Sequence, residues 1–264
     1  MSDPPALFDT HAHLHDPWIG DDLPEVMARA SEAGVERIVT IGCSLEDSRN
    51  AVAVAEQYDN VWATVGLHPH DAKDWNAELE SEFRQMARHE RVVAIGEIGL
   101  DFYRNLSPQD AQYRAFEGQL GLADELELPV VIHSRDAHED TFGVLEHWAR
   151  QWNRPGPVGV IHCFSGDADL AHRYHDLGFF ISFAGPVTYP KNDALREAAA
   201  SLPLDAIVIE TDAPYLSPQA RRGKRNEPAN VRYTAQHIAE TREVSLEVIT
   251  HQSTFNATQV FRLA

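Results

Sequence analysis

The sequence predicts an α/β protein, a single (β/α)8 TIM barrel spanning residues 1–264, on three observations. The chain is 264 residues long, close to the roughly 250 of one eight-stranded barrel. Short β-rich runs and helically spaced segments alternate along it eight times, which suits a closed barrel rather than an open sheet. The runs are apolar on both faces, as strands are when the sheet is parallel and helices cover it.

Taken in order, the first strand is expected at 7–10, followed by a helix over 23–33 that Gly34 can close. Strands at 37–41 and 61–65 lead to helices at 45–57 and 79–88, where apolar residues recur at three- and four-residue spacing. The fourth strand, 92–96, leads to a helix over 110–126, whose start is marked by Ser107 as a cap followed by Pro108. Strands at 130–133, 158–162 and 179–182 precede helices at 141–151, 169–177 and 193–201, and Gly178 can end the second of these. The eighth strand is 206–210. A stretch rich in Pro, Arg and Gly follows at 216–228, then helical segments at 229–241 and 245–263. The first of these completes the barrel, and the second is expected as a terminal addition. No repeat, low-complexity tract or linker divides the chain.

Composition sets limits on function. Hydrophobic residues at 43% and charged residues at 24% describe an ordinary globular protein with ample core material. The formal net charge of -19 excludes a broadly basic surface for nucleic acid, although divalent cations would supply local positive charge. No apolar run approaches the roughly 20 residues of a membrane span, and Met1-Ser2-Asp3-Pro4-Pro5 lacks the basic-then-apolar pattern of a signal peptide. A cytoplasmic protein without membrane partners is expected. Cys43 and Cys163 form no Cys-x-x-Cys pair and are expected as reduced residues near strand ends.

The chemistry collects where strands end. His11 and His13 project from one face of an extended backbone and can share a divalent cation, but a catalytic site needs at least three protein ligands. His68, Glu97, His133, His162 and Asp212 each end or follow another strand. All would face the mouth at which barrel enzymes work. Ionisable groups buried at such a rim are costly unless paired, and a metal pairs carboxylates and neutral imidazoles together. Four of these histidines and the two carboxylates are enough for two cations.

Seven motifs carry a resemblance. They are Phe8-Asp9-Thr10-His11-Ala12-His13, Val65-Gly66-Leu67-His68-Pro69-His70, Ala94-Ile95-Gly96-Glu97-Ile98-Gly99-Leu100-Asp101, Val131-Ile132-His133-Ser134-Arg135-Asp136-Ala137, His162-Cys163-Phe164-Ser165-Gly166, Ile209-Glu210-Thr211-Asp212-Ala213-Pro214-Tyr215-Leu216 and Gly223-Lys224-Arg225-Asn226-Glu227-Pro228. In this order over nearly the whole chain they resemble the TatD-type metal-dependent deoxyribonucleases of the amidohydrolase superfamily.

The resemblance implies that His11, His13 and Asp212 hold one metal, that His133 and His162 hold the other, and that Glu97 bridges them. Where other superfamily members bridge with a carbamylated lysine, this chain has Glu97. The implied activity is hydrolysis of DNA phosphodiester bonds, at the ends of single strands, by water that two divalent ions activate and that Asp212 orients and deprotonates. Glu97 and Asp212 are thus the catalytic pair. Zinc, manganese and magnesium all suit the ligand set.

Arg225 is the first choice for gripping phosphate, with His68 and Arg135 behind it. For the run 221–226 a solvated basic loop is the competing reading. Glu210 is either a partner for a ligand or a strand-end acid. Phe102, Tyr103 and Tyr189 could stack on bases or pack at the rim. The rival functions are ester or amide hydrolysis, such as D-aminoacyl-tRNA deacylation, and a non-catalytic metal-binding barrel.

Overall fold

The computed structural model describes residues 6–152 and 154–263, so Met1–Pro5, read above for the lack of a signal peptide, lie outside it. Its eight strands are β1 (Leu7–Ala12), β2 (Val35–Ile41), β3 (Val61–Val65), β4 (Val92–Asp101), β5 (Val130–Arg135), β6 (Gly159–Ile161), β7 (Phe179–Phe183) and β8 (Ile207–Ile209). They pair in parallel in sequence order. The ring closes just beyond β8: Asp212 N–H donates to His11 C=O at 2.9 Å, and His13 N–H donates to Ala213 C=O at 2.7 Å. This is the expected TIM barrel.

Helices α1 (Leu23–Glu32), α2 (Leu45–Gln57), α3 (Ala77–Met86), α4 (Gln109–Leu126), α5 (His138–Ala149), α6 (Ala168–Asp176) and α7 (Asp193–Ser201) link successive strands, and α8 (Val231–Thr241) and α9 (Leu246–Val260) follow β8. Their starts follow local chemistry. Ser44, Asn76, Asp167 and Ser245 each accept a backbone N–H of the first turn through the side chain. Gly34 and Gly178 follow α1 and α6 at φ of 86° and 92°, as expected of closing glycines. Ser107 does not cap α4. Pro108 takes that position, while Ser107 Oγ donates to His70 C=O at 2.7 Å and ties the loop after β3 to the loop after β4.

Two apolar layers form the core. The outer one lies between the strands and the helices. The inner one is built from Phe8, Val39, Ile41, Val93, Val131, Val160 and Val208, on alternate positions of the strands, and from Ala257, Val260 and Phe261 at the end of α9. The last helical segment is therefore no mere addition, because it plugs the barrel floor. Asn256 fixes it there, donating to Leu204 and Ile207 carbonyls at 2.9 and 2.7 Å. With the floor filled, the barrel interior opens at the carboxyl ends of the strands, where barrel enzymes work. Among the described residues, no helix is long and apolar enough to cross a membrane.

Candidate metal centre

The mouth is a cavity of about 730 Å³ lined by His13, His68, Glu97, His133, His162 and Asp212 among others. His11 lies beneath, wholly buried. His11, Glu97 and His133 arrive there from within β1, β4 and β5, and His13, His68, His162 and Asp212 from the residues just after β1, β3, β6 and β8. At Glu97 the backbone also needs room: β4 runs on past it to pair Ile98–Asp101 with Ile132–Arg135 of β5. That close pairing requires a glycine at position 99, where φ is 145° and any Cβ would lie 1.9 Å from His133 C=O. Asp212 sits in the left-handed region, φ 57°, a conformation uncommon for a side chain other than glycine and concentrated at functional sites.

Glu97 is the hub. Its Oε1 lies 2.7 Å from His133 Nδ1, 3.0 Å from His162 Nε2 and 3.5 Å from His68 Nε2, and its Oε2 lies 3.5 Å from His11 Nε2. Asp212 Oδ1 is 3.3 Å from His13 Nε2 and 3.7 Å from His11 Nε2. The ligand atoms of His11, His13 and Asp212 converge closely enough for one ion. So do those of His11, Glu97 and His162, and of His68, Glu97 and His133.

The electrostatics follow from burying charge in pairs. Burial alone would raise the Glu97 carboxyl, but the charges of His162 and His68, the His11 imidazole 3.5 Å away and a hydrogen bond with His133 hold it well below the usual range. Burial works against the cation of His162, yet Glu97 and Glu210 raise it well above an ordinary imidazole. Asp212 is likewise held low, against burial, by His13 and its neighbours. Burial pushes His68 down to about 4, helped by His133.

These residues fit a divalent metal on an observation independent of family. Both ring nitrogens of His11 are buried and have no hydrogen-bond partner, an arrangement that costs free energy in a protein without a cation. Neutral imidazole and carboxylate are also the donor types that zinc, manganese and related ions take.

The six expected ligand positions are thus brought together, and His68 and Arg135 line the same cavity. Arg225 is placed elsewhere: its guanidinium donates to Trp18 C=O at 2.7 Å and pairs with Asp22 at 2.9 Å. Glu210 is buried at 0% exposure, with Oε1 3.2 Å from His162 Nδ1. Tyr103 is exposed beneath the Arg135 guanidinium, 4.0 Å from its ring centre. Phe102 packs on the core, and Tyr189 donates to Ser217 C=O at 2.9 Å. Cys43 and Cys163 are free and both line the cavity, Cys43 Sγ lying 3.6 Å from Glu97 Oε2.

Two features escaped the sequence reading. Asp101 is fully buried, 3.0 Å from His70 Nε2 and 3.2 Å from His133 Nε2. Its spacing of four from Glu97 would have put both on one strand face had the strand been extended that far. Arg104 also lines the cavity, with its backbone N–H bound to Asp101 at 2.7 Å, and no local pattern marks it.

Comparison with known proteins supplies the family. Residues 8–262 match the model described as TatD related DNase. An uncharacterized metal-dependent hydrolase of Bacillus subtilis, YabD, is 42% identical over 97% of this chain and 99% of its own length. The 3'-5' ssDNA/RNA exonuclease TatD of Pantoea ananatis is 38% identical over 97% of this chain and all of that protein. The crystal structure of YJJV, a TatD homologue from Escherichia coli, superposes with a TM-score of 0.90 at 31% identity, covering 98% of both chains. The chain belongs to the TatD related DNase family.

Proposed function

We propose that this TatD-family metal-dependent hydrolase cleaves phosphodiester bonds at the ends of single-stranded DNA, from one domain formed by residues 1–264 and in the cytoplasm. The single observation that carries the proposal is the Glu97 carboxylate, flanked by His11, His133 and His162 within 3.5 Å. One shared carboxylate between two groups of imidazoles is an economical way to hold two cations close together. In the proposed assignment His11, His13 and Asp212 take one ion, His133 and His162 the other, and Glu97 both. Bound there, divalent ions such as zinc, manganese or magnesium supply Lewis acidity and positive charge to an attacked phosphoryl group.

The chain's own residues do the rest. Asp212, with a carboxylate held ionised beside His13, orients the attacking water and accepts its proton. His68 Nδ1 accepts the His70 N–H at 3.2 Å, so the neutral ring carries its proton on Nε2, a donor at the cavity wall 3.5 Å from Glu97 Oε1. That donor suits a phosphate oxygen. Arg135 faces the same space with Arg104, and a guanidinium grips phosphate through two parallel N–H groups. Arg225 serves substrate binding through the Trp18 segment that it holds.

End-labelled oligonucleotides test this reading. Metal-dependent, stepwise shortening of single-stranded DNA is expected. A purified protein that leaves DNA intact and hydrolyses aminoacyl esters would replace the proposal with a deacylase, and one that binds metal but hydrolyses neither would replace it with a non-catalytic barrel.

A further inference from the structure

The mouth has an unusual lip. Trp18 is 61% exposed and Tyr215 is 44% exposed, their ring centres are 6.3 Å apart, and they belong to loops after β1 and β8, which are neighbours in the barrel. Scattered exposed aromatics need no explanation, but adjacent ones beside a cavity mark a place where something binds.

Trp18 is not exposed because its loop is loose. Asp16 Oδ1 accepts the Trp18 N–H at 2.7 Å, Asp16 Oδ2 accepts the Tyr215 hydroxyl, and Arg225 holds the Trp18 carbonyl. One carboxylate therefore ties the two aromatic residues together, while Ile19 next in sequence is buried at 2% exposure and anchors the turn. Two polar contacts to the Trp18 backbone thus hold a large apolar ring mostly out in water.

The position of the lip names its ligand. The Tyr215 ring centre is 5.8 Å from that of His13, and Asp16, Tyr215 and Leu216 line the same cavity as Glu97. A group resting on the lip is thus one ring away from the metal centre, the distance of the nucleoside attached to a reacting phosphate. Among the described residues the lip directs no lysine or arginine to the cavity: Arg225 is committed to Asp22 and Trp18, and the cavity's arginines lie across the ring, Arg104 after β4 and Arg135 at the end of β5. The two rings are inclined at 47° to each other, and a ring face without a neighbouring lysine or arginine fits a nucleobase rather than a phosphate.

We propose that Trp18 and Tyr215 form a stacking shelf for the base next to the scissile phosphate, and that this shelf gives the enzyme its need for an unpaired strand. In a duplex that base is paired and covered by its neighbours. Unpaired, it can leave the stack and lie on the shelf. The inference rests on the phosphodiesterase reading but concerns recognition of the base.

The test compares a labelled single-stranded oligonucleotide with the same strand carrying an abasic tetrahydrofuran residue beside the cut, using metal-loaded protein and fluorescence anisotropy. Wild-type protein is expected to bind the intact strand about 5- to 150-fold more tightly, the range of one stacked base. Trp18→Ala should bring that ratio close to one, and so should Trp18→Leu, which is apolar without a π face. Trp18→Phe should keep most of it, which a merely structural role would not require. A wild-type ratio near one, or a Trp18→Ala protein that retains the wild-type ratio, overturns the shelf. Should the wild type cleave neither strand, the hydrolytic reading fails by itself, and the same binding ratios still decide the shelf.

Discussion

Glu210 Oε1 lies 3.2 Å from His162 Nδ1, and the same carboxylate is already fixed by Cys163 N–H at 2.8 Å and Ser182 Oγ at 2.5 Å. A carboxylate held this way demands a proton on Nδ1, which leaves the lone pair of Nε2, 3.0 Å from Glu97, for a metal. Glu210→Ala should therefore weaken metal binding about 10- to 100-fold, read by competition against a chromophoric chelator. Wild-type affinity in that variant would reduce Glu210 to a strand-end acid.

Glu97→Gln keeps the shape of the hub and removes its charge from among His11, His68, His133 and His162. Losing a shared ligand should cost more than losing a hydrogen-bond partner of one, so hydrolysis is expected to fall by more than about 100-fold. Metal content per chain should fall in the same preparation. Full metal content with wild-type turnover would show that Glu97 is not a ligand.

Metal removal should cost stability as well as activity, because both nitrogens of His11 are buried without partners. An ion present at a hundred times its dissociation constant adds about 2.7 kcal/mol per site to the folded state. Calorimetry should therefore show an upward shift of about 5 °C or more when metal is restored to chelator-treated protein. Identical transitions with and without metal would contradict the fit argued from His11.

Asp9 shows how the barrel closure supports the centre. Its carboxyl group, whose pKa burial pushes up to about 8, accepts Thr211 N–H at 2.8 Å and lies 2.5 Å from Thr211 Oγ1, joining the strand that carries His11 to the segment that carries Asp212. Asp9→Leu strands a buried Thr211 donor, at a cost of about 1–3 kcal/mol. The urea midpoint should fall with an unchanged slope, and an unmoved midpoint would mean that the contact adds nothing.

What could be read locally was read well. The bounds of β3 and α2 match their expected ranges because an apolar run and a 3.6-residue pattern with a Ser cap are properties of a short window. The six proposed ligands were legible for the same reason, since each ends or follows a strand. β4 ran past its expected end because its last residues pair with β5, and the room for that pairing depends on Gly99 meeting a carbonyl 34 positions away. Asp16 joining Trp18 to Tyr215 depends on contacts across about 200 residues, and so does Arg225 turning from the cavity to the Trp18 carbonyl. Nothing in a local window encodes them.

Salt dependence separates the two sides of the mouth. With a net charge of -19, the chain offers few cations to a nucleic acid, and those lining the cavity are Arg104 and Arg135. Each phosphate neutralised on a single strand contributes about 0.7 to the slope of log affinity against log salt. Arg135→Ala should therefore flatten the slope by about 0.7, and the double variant with Arg104→Ala by about 1.4. Trp18→Ala should weaken binding with the slope unchanged, since a stacked base releases no counterion. Titrations of one oligonucleotide at several salt concentrations measure all three, and a slope that Arg135→Ala leaves unaltered would remove Arg135 from phosphate binding.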